Sequence, residues 1–135
     1  KAAQKFEAVL KEIPDEVVAV RELGVCYLNL KKWDQAKKNF ARAISLEPQY
    51  GMNYAWLAFV LEGTREWSGA LEMWEKALTL LKDTREIEQA ETKLTALKKR
   101  LRKQKKENSE EITGQIAPSF LRPLLCFGFS VHLHG

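Results

Sequence analysis

Apolar residues between positions 17 and 48 recur every three or four residues, in two runs separated by a short polar turn. That spacing predicts two amphipathic helices that face each other as a hairpin. The inner positions are Val20, Leu23, Gly24 and Tyr27 in the first helix, and Ala36, Phe40, Ala43 and Ile44 in the second. Pro48 cannot continue a helix, so the hairpin is expected to end there.

The same pattern recurs 34 residues away on either side, without any insertion. The superposed sets are Ala2, Ala36 and Ala70; Phe6, Phe40 and Trp74; Val9, Ala43 and Ala77; Val20 and Tyr54; Leu23 and Leu57; Gly24 and Ala58; and Trp33 and Trp67. A fixed period of this length is typical of repeat architectures. We expect the second helix of a partial repeat over 1–16, followed by full repeats over 17–50 and 51–82.

Small residues on the inner faces have a predicted packing role. Gly24 and Ala36 allow the two helices of the hairpin to approach closely. The bulkier Tyr27 and Phe40 then fill the space beside them. We therefore expect a close contact between the backbone at Gly24 and a large side chain on the second helix.

The chain resembles the tetratricopeptide repeat family over roughly residues 1–82. The matching positions are Leu23, Gly24, Tyr27, Ala36, Phe40, Ala43 and Pro48, then Tyr54, Leu57, Ala58, Ala70, Trp74 and Ala77. Departures from the family pattern are Ala58 for glycine, Leu61 for an aromatic residue and Lys82 for proline. The resemblance implies an all-α, right-handed superhelical solenoid of antiparallel helix hairpins.

Residues 83–107 are expected to form a C-terminal capping helix. Asp83 followed by Glu86 is a capping-box-like start. One narrow apolar stripe then runs along an otherwise polar helix, and it consists of Ile87, Ala90, Leu94, Leu97 and Leu101. Such a helix closes a solenoid by burying one face. The stripe also permits a coiled coil, which stays an alternative.

Residues 108–135 differ in composition, because Gly114, Pro118, Pro123 and Gly128 argue against a long helix. We expect an irregular tail that is poorly ordered or loosely docked. At the other end, residues 1–16 supply only the second helix of a repeat. An excerpt from a longer array is the favoured interpretation, and a natural N-terminal cap is the alternative. Neither a signal peptide nor a membrane span is visible, which favours a cytoplasmic location.

The sequence offers little that points to catalysis, so we expect a protein that is not an enzyme and needs no cofactor. His132 and His134 are the only histidines, and no carboxylate or thiol lies near them at a ligand spacing, so no metal site is expected. Cys26 and Cys126 form no paired motif. Phosphate-binding and nucleophile motifs are absent from the sequence.

The first helices carry the most informative candidate site. In the second repeat this helix is apolar on the face opposite its hairpin partner as well as on the inner face. The family resemblance implies that first helices line a concave groove for extended or helical peptides. It places on that groove Val18, Arg21, Val25, Asn29, Met52, Trp56 and Phe59. The alternative is that Met52, Trp56 and Phe59 only pack against the neighbouring repeat.

The leading hypothesis is a protein-interaction scaffold with Trp56 as the anchor for a peptide or helix of unknown identity. Some relatives bind a C-terminal carboxylate with polar groups on these helices. Val25, Trp56 and Ala90 stand at those positions here, and only Arg21 suits the role. We therefore expect no carboxylate clamp, and no binding of chaperone tails by that mode.

A basic run near the C-terminus supplies the main alternative. Its possible anion-binding residues are Lys98, Lys99, Arg102, Lys103, Lys105 and Lys106. They could contact nucleic acid or an anionic membrane. Cations also suit the end of a solvated helix, and no aromatic residues are interleaved to stack on bases, so that alternative is less favoured. A spacer role within a longer protein, and self-association through the repeats or a coiled coil, are further alternatives.

Overall fold

A computed structural model describes the backbone of residues 2–116 and the side chains of residues 2–111. Six helices account for this part of the chain, which contains no strand: α1 (Ala2–Glu12), α2 (Val17–Asn29), α3 (Trp33–Leu46), α4 (Gly51–Gly63), α5 (Trp67–Leu80) and α6 (Thr84–Ile116). The predicted all-α fold class is confirmed. The chain divides into a unit of residues 1–98 and a second unit of residues 99–135, whose described part is the remainder of α6.

Within residues 1–98, consecutive helices pack as hairpins. The helices α2 and α3 contact each other closely, as do α4 and α5, and α3 packs against α4. The two hairpins use the same turn. Lys31 and Arg65 occupy its equivalent position with φ of 59° and 62°. This left-handed conformation is a common way to end an α-helix and lets the chain reverse within three residues.

Two groups of buried side chains form the core of this unit. The first cluster lies around the second hairpin and the start of α6, and its buried members are Tyr54, Ala55, Ala58, Ala70, Trp74, Ala77, Ala90, Leu94 and Leu97. The second cluster joins the two hairpins, and its buried members are Ala36, Phe40 and Val60. The helical period identified this core correctly, because nearly all of these positions belong to the predicted inner faces.

The helix α1 packs on α2 but buries none of its own side chains. Phe6 is half-buried, whereas Val9 and Ile13 are 39% and 57% exposed. A polar contact adds to the packing, since the Tyr27 hydroxyl donates a hydrogen bond of 2.9 Å to a carboxylate oxygen of Glu7. Burial and this carboxylate together raise the pKa of Tyr27 above its ordinary value.

The start of α6 follows the predicted cap. A carboxylate oxygen of Asp83 accepts hydrogen bonds from the backbone N–H groups of Arg85, at 2.9 Å, and Glu86, at 3.3 Å. These bonds satisfy amide groups that have no partner within the first turn.

The other end of α6 differs from the expectation. The helix continues to Ile116, beyond the predicted end at residue 107, so residues 108–116 are helical rather than part of a tail. The glutamates of this segment favour a helix, and one glycine, Gly114, costs only about 1 kcal/mol relative to alanine. Residues 117–135, with both histidines, Cys126 and the remaining predicted tail, lie outside the described residues.

The predicted close approach at Gly24 is present, and it makes alanine there a test of the packing. A Cβ atom at Gly24 would lie 2.8 Å from Cε1 of Phe40, whose ring is fully buried and cannot move aside. Glycine to alanine within a helix normally stabilises it by about 1 kcal/mol. Because of the overlap, we expect Gly24→Ala to lower the free energy of unfolding by about 1–3 kcal/mol, as measured by urea denaturation.

A matched control is available in the other hairpin. A Cβ atom at Gly69, in α5, would meet Cδ1 of Leu61 at 3.4 Å, which is an ordinary contact. Gly69→Ala should therefore leave stability unchanged or raise it by up to about 1 kcal/mol. If both variants shifted the urea midpoint in the same direction, the steric interpretation of Gly24 would be wrong.

Candidate functional site

The predicted groove residues lie on two first helices that contact each other. Four of them are on α2 (Val18, Arg21, Val25 and Asn29), and three are on α4 (Met52, Trp56 and Phe59). We refer to these seven residues as the predicted groove. Val18, which is 52% exposed, and Asn29 face solvent, while the other five are half-buried. The set is thus partly accessible and partly engaged in packing.

The aromatic residues of the predicted groove belong to a row of four rings. The ring of Trp56 stacks on Phe40 with centroids 6.0 Å apart and planes within 9°. Phe59 lies 5.7 Å from Trp56 and meets Trp74 edge to face at 4.9 Å. We call these four rings the aromatic row. It connects α3 of the first hairpin to α5 of the second, so Trp56 and Phe59 contribute to packing between repeats.

Packing does not use all of these side chains. Phe40 and Trp74, at the two ends of the aromatic row, are fully buried, whereas Trp56 and Phe59 between them keep part of their surface exposed. Val25 packs against the same core cluster as Trp56, and Met52 against the same cluster as Phe59. The apolar residues of the predicted groove therefore form the outer layer of the core.

Arg21 is held by groups of the protein itself. Its guanidinium forms an ion pair with Glu47, donates through Nε to Oδ1 of Asn53 at 3.0 Å, and lies 4.5 Å above the ring of Tyr50. Asn53 is fully buried and donates to the backbone carbonyls of Ala43, at 3.1 Å, and Glu47, at 3.3 Å. Arg21, Glu47 and Asn53 form a network, the Arg21 network, that joins α2, the end of α3 and α4.

Sequence reasoning missed a second set of charged residues beside the predicted groove. The Nζ atom of Lys93 lies 5.3 Å from the ring centre of Phe59 and 3.5 Å from a carboxylate oxygen of Glu62. The other oxygen of Glu62 accepts a hydrogen bond of 3.1 Å from the indole N–H of Trp74. A signal existed for Lys93, because the 34-residue shift that relates Val25 to Phe59 leads next to Lys93 in α6.

An open cleft of about 310 Å³ lies where the start of α4 meets the start of α6. Its lining consists of Gln49, Tyr50, Gly51, Met52, Leu80, Leu81, Lys82, Asp83 and Glu86. We call it the Met52 cleft. The same 34-residue shift relates Val18 to Met52 and Met52 to Glu86, so Glu86 extends a row of the predicted groove into α6. The residues of the cleft other than Met52 were not among the predicted site residues.

The basic residues near the C-terminal end of α6 are accessible. All six possible anion-binding residues, Lys98, Lys99, Arg102, Lys103, Lys105 and Lys106, are exposed on the helix. Leu101 among them is half-buried. Their role in binding anions stays a prediction.

Other chemistry finds no support in the described residues. Within them, no three or more His, Cys, Asp or Glu side chains are grouped closely enough to hold a metal ion. The proposed metal ligands that we rejected, His132 and His134, lie outside this range. None of the helices that the structure describes is both long enough and apolar enough to cross a membrane.

Known proteins share this repeat. The tetratricopeptide repeat family matches residues 18–50, which contain α2, the turn and α3. Small glutamine-rich tetratricopeptide repeat-containing protein 2 of Saccharomyces cerevisiae is 29% identical over 79 residues. The chain is a tetratricopeptide-repeat protein. The match covers 58% of this chain and 23% of the yeast protein, so the chain spans about a quarter of that relative's length.

Solved structures share the fold of this tetratricopeptide-repeat protein. Protein BPP2914 from Bordetella parapertussis superposes with a TM-score of 0.66 at 23% identity, over 74% of this chain and 90% of that one. The MamA RS-1 ArsTM double mutant superposes with a TM-score of 0.56 at 19% identity, over 73% and 65% of the two chains. At these identities the likeness shows the helical-repeat fold.

Proposed function

We propose that this tetratricopeptide-repeat protein is a non-enzymatic scaffold that binds a peptide or helix of another protein through the predicted groove, with Trp56 as the anchor. The carrying observation is the outer face of α4. Tyr54, Ala58 and Val60 already supply this helix with a buried apolar side. Trp56 and Phe59 add a second apolar surface that packing covers only in part.

Trp56 suits an anchoring role because it is both rigid and accessible. Its stacking on Phe40 holds the indole in place before any partner binds. A side chain that is already immobile loses little conformational entropy on binding. Half-buried tryptophans surrounded by apolar neighbours are the residues that most often dominate the energetics of protein interfaces.

The charged residues near the predicted groove support binding rather than catalysis. Arg21 is paired with Glu47 and hydrogen-bonded to Asn53, and Lys93 is paired with Glu62. Such internal pairs hold helices in place.

A carboxylate clamp is not part of the proposal. Val25, Trp56 and Ala90 offer no polar groups, and Ala90 is fully buried. Arg21, which alone suited that role, already has an anionic partner in Glu47. A terminal carboxylate placed here would find no unpaired cation among the residues of the predicted groove. We therefore propose an apolar partner segment rather than the acidic tail of a chaperone.

A Trp56→Ala variant tests the anchor. Loss of a tryptophan hot spot costs about 2 kcal/mol or more, so the affinity for the partner should fall roughly 30-fold or more. The immobilised full chain would be used to recover partners from native lysate, with quantification by mass spectrometry. Each recovered partner would then be titrated against the wild-type and variant proteins.

Leu46→Ala is the matched control, since Leu46 is a 37% exposed apolar residue on α3, outside the predicted groove. Circular dichroism melting would verify that Trp56→Ala still folds after losing its contact with Phe40. Equal partner affinity for folded Trp56→Ala and the wild-type protein would contradict the proposal.

A further inference from the structure

We propose that the segment bound in the predicted groove carries a lysine or arginine, and that this basic side chain enters the Met52 cleft and pairs with Glu86. This inference rests on the proposed function, since it describes the chemistry of the partner at that same site. Three observations carry it: the lining of the cleft, the balance of charge around the predicted groove, and the register between the repeats.

The lining of the Met52 cleft fits a long side chain with a cationic end. Met52, Leu80 and Leu81 provide apolar walls for an aliphatic stem. Glu86 provides a half-buried carboxylate in the same cleft. Lysine and arginine bury their stems against apolar surface while the charged group reaches a polar partner, which is the arrangement that this lining offers.

The charges around the predicted groove leave a negative excess. Its cations are neutralised internally, because Arg21 pairs with Glu47 and Lys93 pairs with Glu62. The Asp83 carboxylate is occupied as the cap of α6. By contrast, the half-buried carboxylates of Glu22 and Glu86 have no hydrogen bond or ion pair within the described part of the chain.

One cation does line the same cleft without cancelling Glu86. Lys82 is exposed and forms no ion pair with a described carboxylate. A half-buried carboxylate that lacks a partner gains most from a cation that also displaces water around it. The side chain of a bound segment would do this, whereas the solvated Lys82 does not.

The register of the repeats places the two unpaired carboxylates beside the apolar residues of the predicted groove. Glu22 follows Val18 by four residues and precedes Val25 by three, so all three share one face of α2. Glu86 lines the cleft together with Met52. Met52 lies one helical turn before Trp56, a rise of about 6 Å along α4. The basic residue of the partner should thus lie about one or two turns from the apolar residue that contacts Trp56.

Segregation of charge along the chain supports the choice of a basic partner. Acidic and basic residues nearly balance over residues 1–97, and the net charge of +4 comes from the residues that follow. An acidic ligand would be drawn to the exposed cations at the end of α6. Electrostatic complementarity favours a basic ligand at the predicted groove, where the unpaired groups are carboxylates.

Selection from a library of random 12-residue peptides displayed on phage tests the inference on the full chain. We expect selected peptides that combine apolar residues with at least one lysine or arginine. A synthetic copy of a selected peptide should lose affinity roughly 3- to 10-fold towards Glu86→Gln, and little towards the control Glu88→Gln, because Glu88 is exposed on the same helix. Fluorescence anisotropy of the labelled peptide would give the affinities.

A second peptide separates charge from shape. Replacing its basic residue by norleucine keeps an aliphatic stem and removes the cation, so the affinity of this peptide should be the same for wild-type protein and Glu86→Gln. Affinity that fell equally for both peptides would overturn the inference, since the variant would then act through the fold rather than through the ion pair.

The Trp56→Ala variant distinguishes failure of the inference from failure of the proposed function. Selected peptides that depend on Trp56 but are not enriched in basic residues, or are insensitive to Glu86→Gln, would overturn the inference and leave the proposed function standing. Acidic peptides that bind independently of Trp56 and lose affinity towards Lys103→Glu would place the binding site on the basic end of α6, and would contradict both.

Discussion

Replacing Trp74 with alanine is expected to lower the free energy of unfolding by about 3–5 kcal/mol. Trp74 is 1% exposed and is the largest fully buried side chain of the described residues. It belongs to the cluster formed by α4, α5 and the start of α6, and its edge meets Phe59 at 4.9 Å. Alanine would leave a cavity that these helices can close only by separating from one another. Urea denaturation followed by far-ultraviolet circular dichroism would measure the loss.

Two further variants separate the parts of this effect. Trp74→Phe keeps an aromatic ring but removes the indole N–H that donates to Glu62. Its cost should be smaller, about 1–2 kcal/mol, and should come partly from the half-buried carboxylate that loses its donor. Leu30→Ala, at a position 58% exposed, should change stability by less than about 0.5 kcal/mol. A loss below 1 kcal/mol for Trp74→Ala would show that the two hairpins do not depend on this cluster.

The location of the loss is also predictable. Repeat proteins gain stability from each repeat and from contacts with its neighbours, so a defect in one repeat acts most strongly there. In Trp74→Ala, the amide hydrogens of α5 should exchange sooner than those of α3, which packs instead around Phe40. Uniform faster exchange throughout residues 2–98 would indicate that the unit unfolds as a single block.

The sequence predicts the packing of the repeats well, because packing is what the period records. Phe40 and Trp74 superpose at a shift of 34 residues, and both are fully buried. Gly24 faces Phe40, as its small size predicted. Positions that repeat must satisfy the same geometric requirement in each copy, so their chemistry identifies that requirement.

The ends of the elements were harder to predict, since local propensity decides them and several residues share the decision. The capping of α6 by Asp83 was visible because one side chain performs it. The other end depends on weak preferences spread over the residues after 107, and the helix extends to Ile116. A single glycine within that segment does not outweigh the neighbouring helix formers.

The site was only partly predictable, because charged networks between helices do not repeat. The stripe that contains Met52 and Trp56 could be identified from the apolar pattern of α4. The partners of Arg21 could not, since Glu47 and Asn53 belong to two other elements and have no counterpart in the next copy. One signal did exist at Asn53, because the positions 34 residues before and after it are Ala19 and Ile87, which are apolar. A polar residue in such a series indicates a buried hydrogen-bonded role.

The second large effect is expected from Asn53→Ala, which should cost about 2–3 kcal/mol of stability. The Asn53 amide is fully buried, and it accepts from Nε of Arg21 at 3.0 Å. The carbonyls of Ala43 and Glu47, to which it donates, also accept backbone N–H groups, so they keep a partner in the variant. The main loss is therefore the acceptor for the guanidinium, together with the small cavity left by the amide. Urea denaturation would measure the cost.

A double-mutant cycle with Arg21→Ala isolates the bond between the two side chains. If the Arg21 network acts as a unit, the two single costs should exceed the double cost by about 1–2 kcal/mol. Asn39→Ala is the matched control, because Asn39 is half-buried and donates one hydrogen bond, of 3.1 Å, to the carbonyl of Val20. It should cost about 1 kcal/mol and show no coupling to Arg21. Strict additivity of Asn53→Ala and Arg21→Ala would mean that α2 and α4 are held together by apolar packing alone, with the Arg21 network contributing nothing to their alignment.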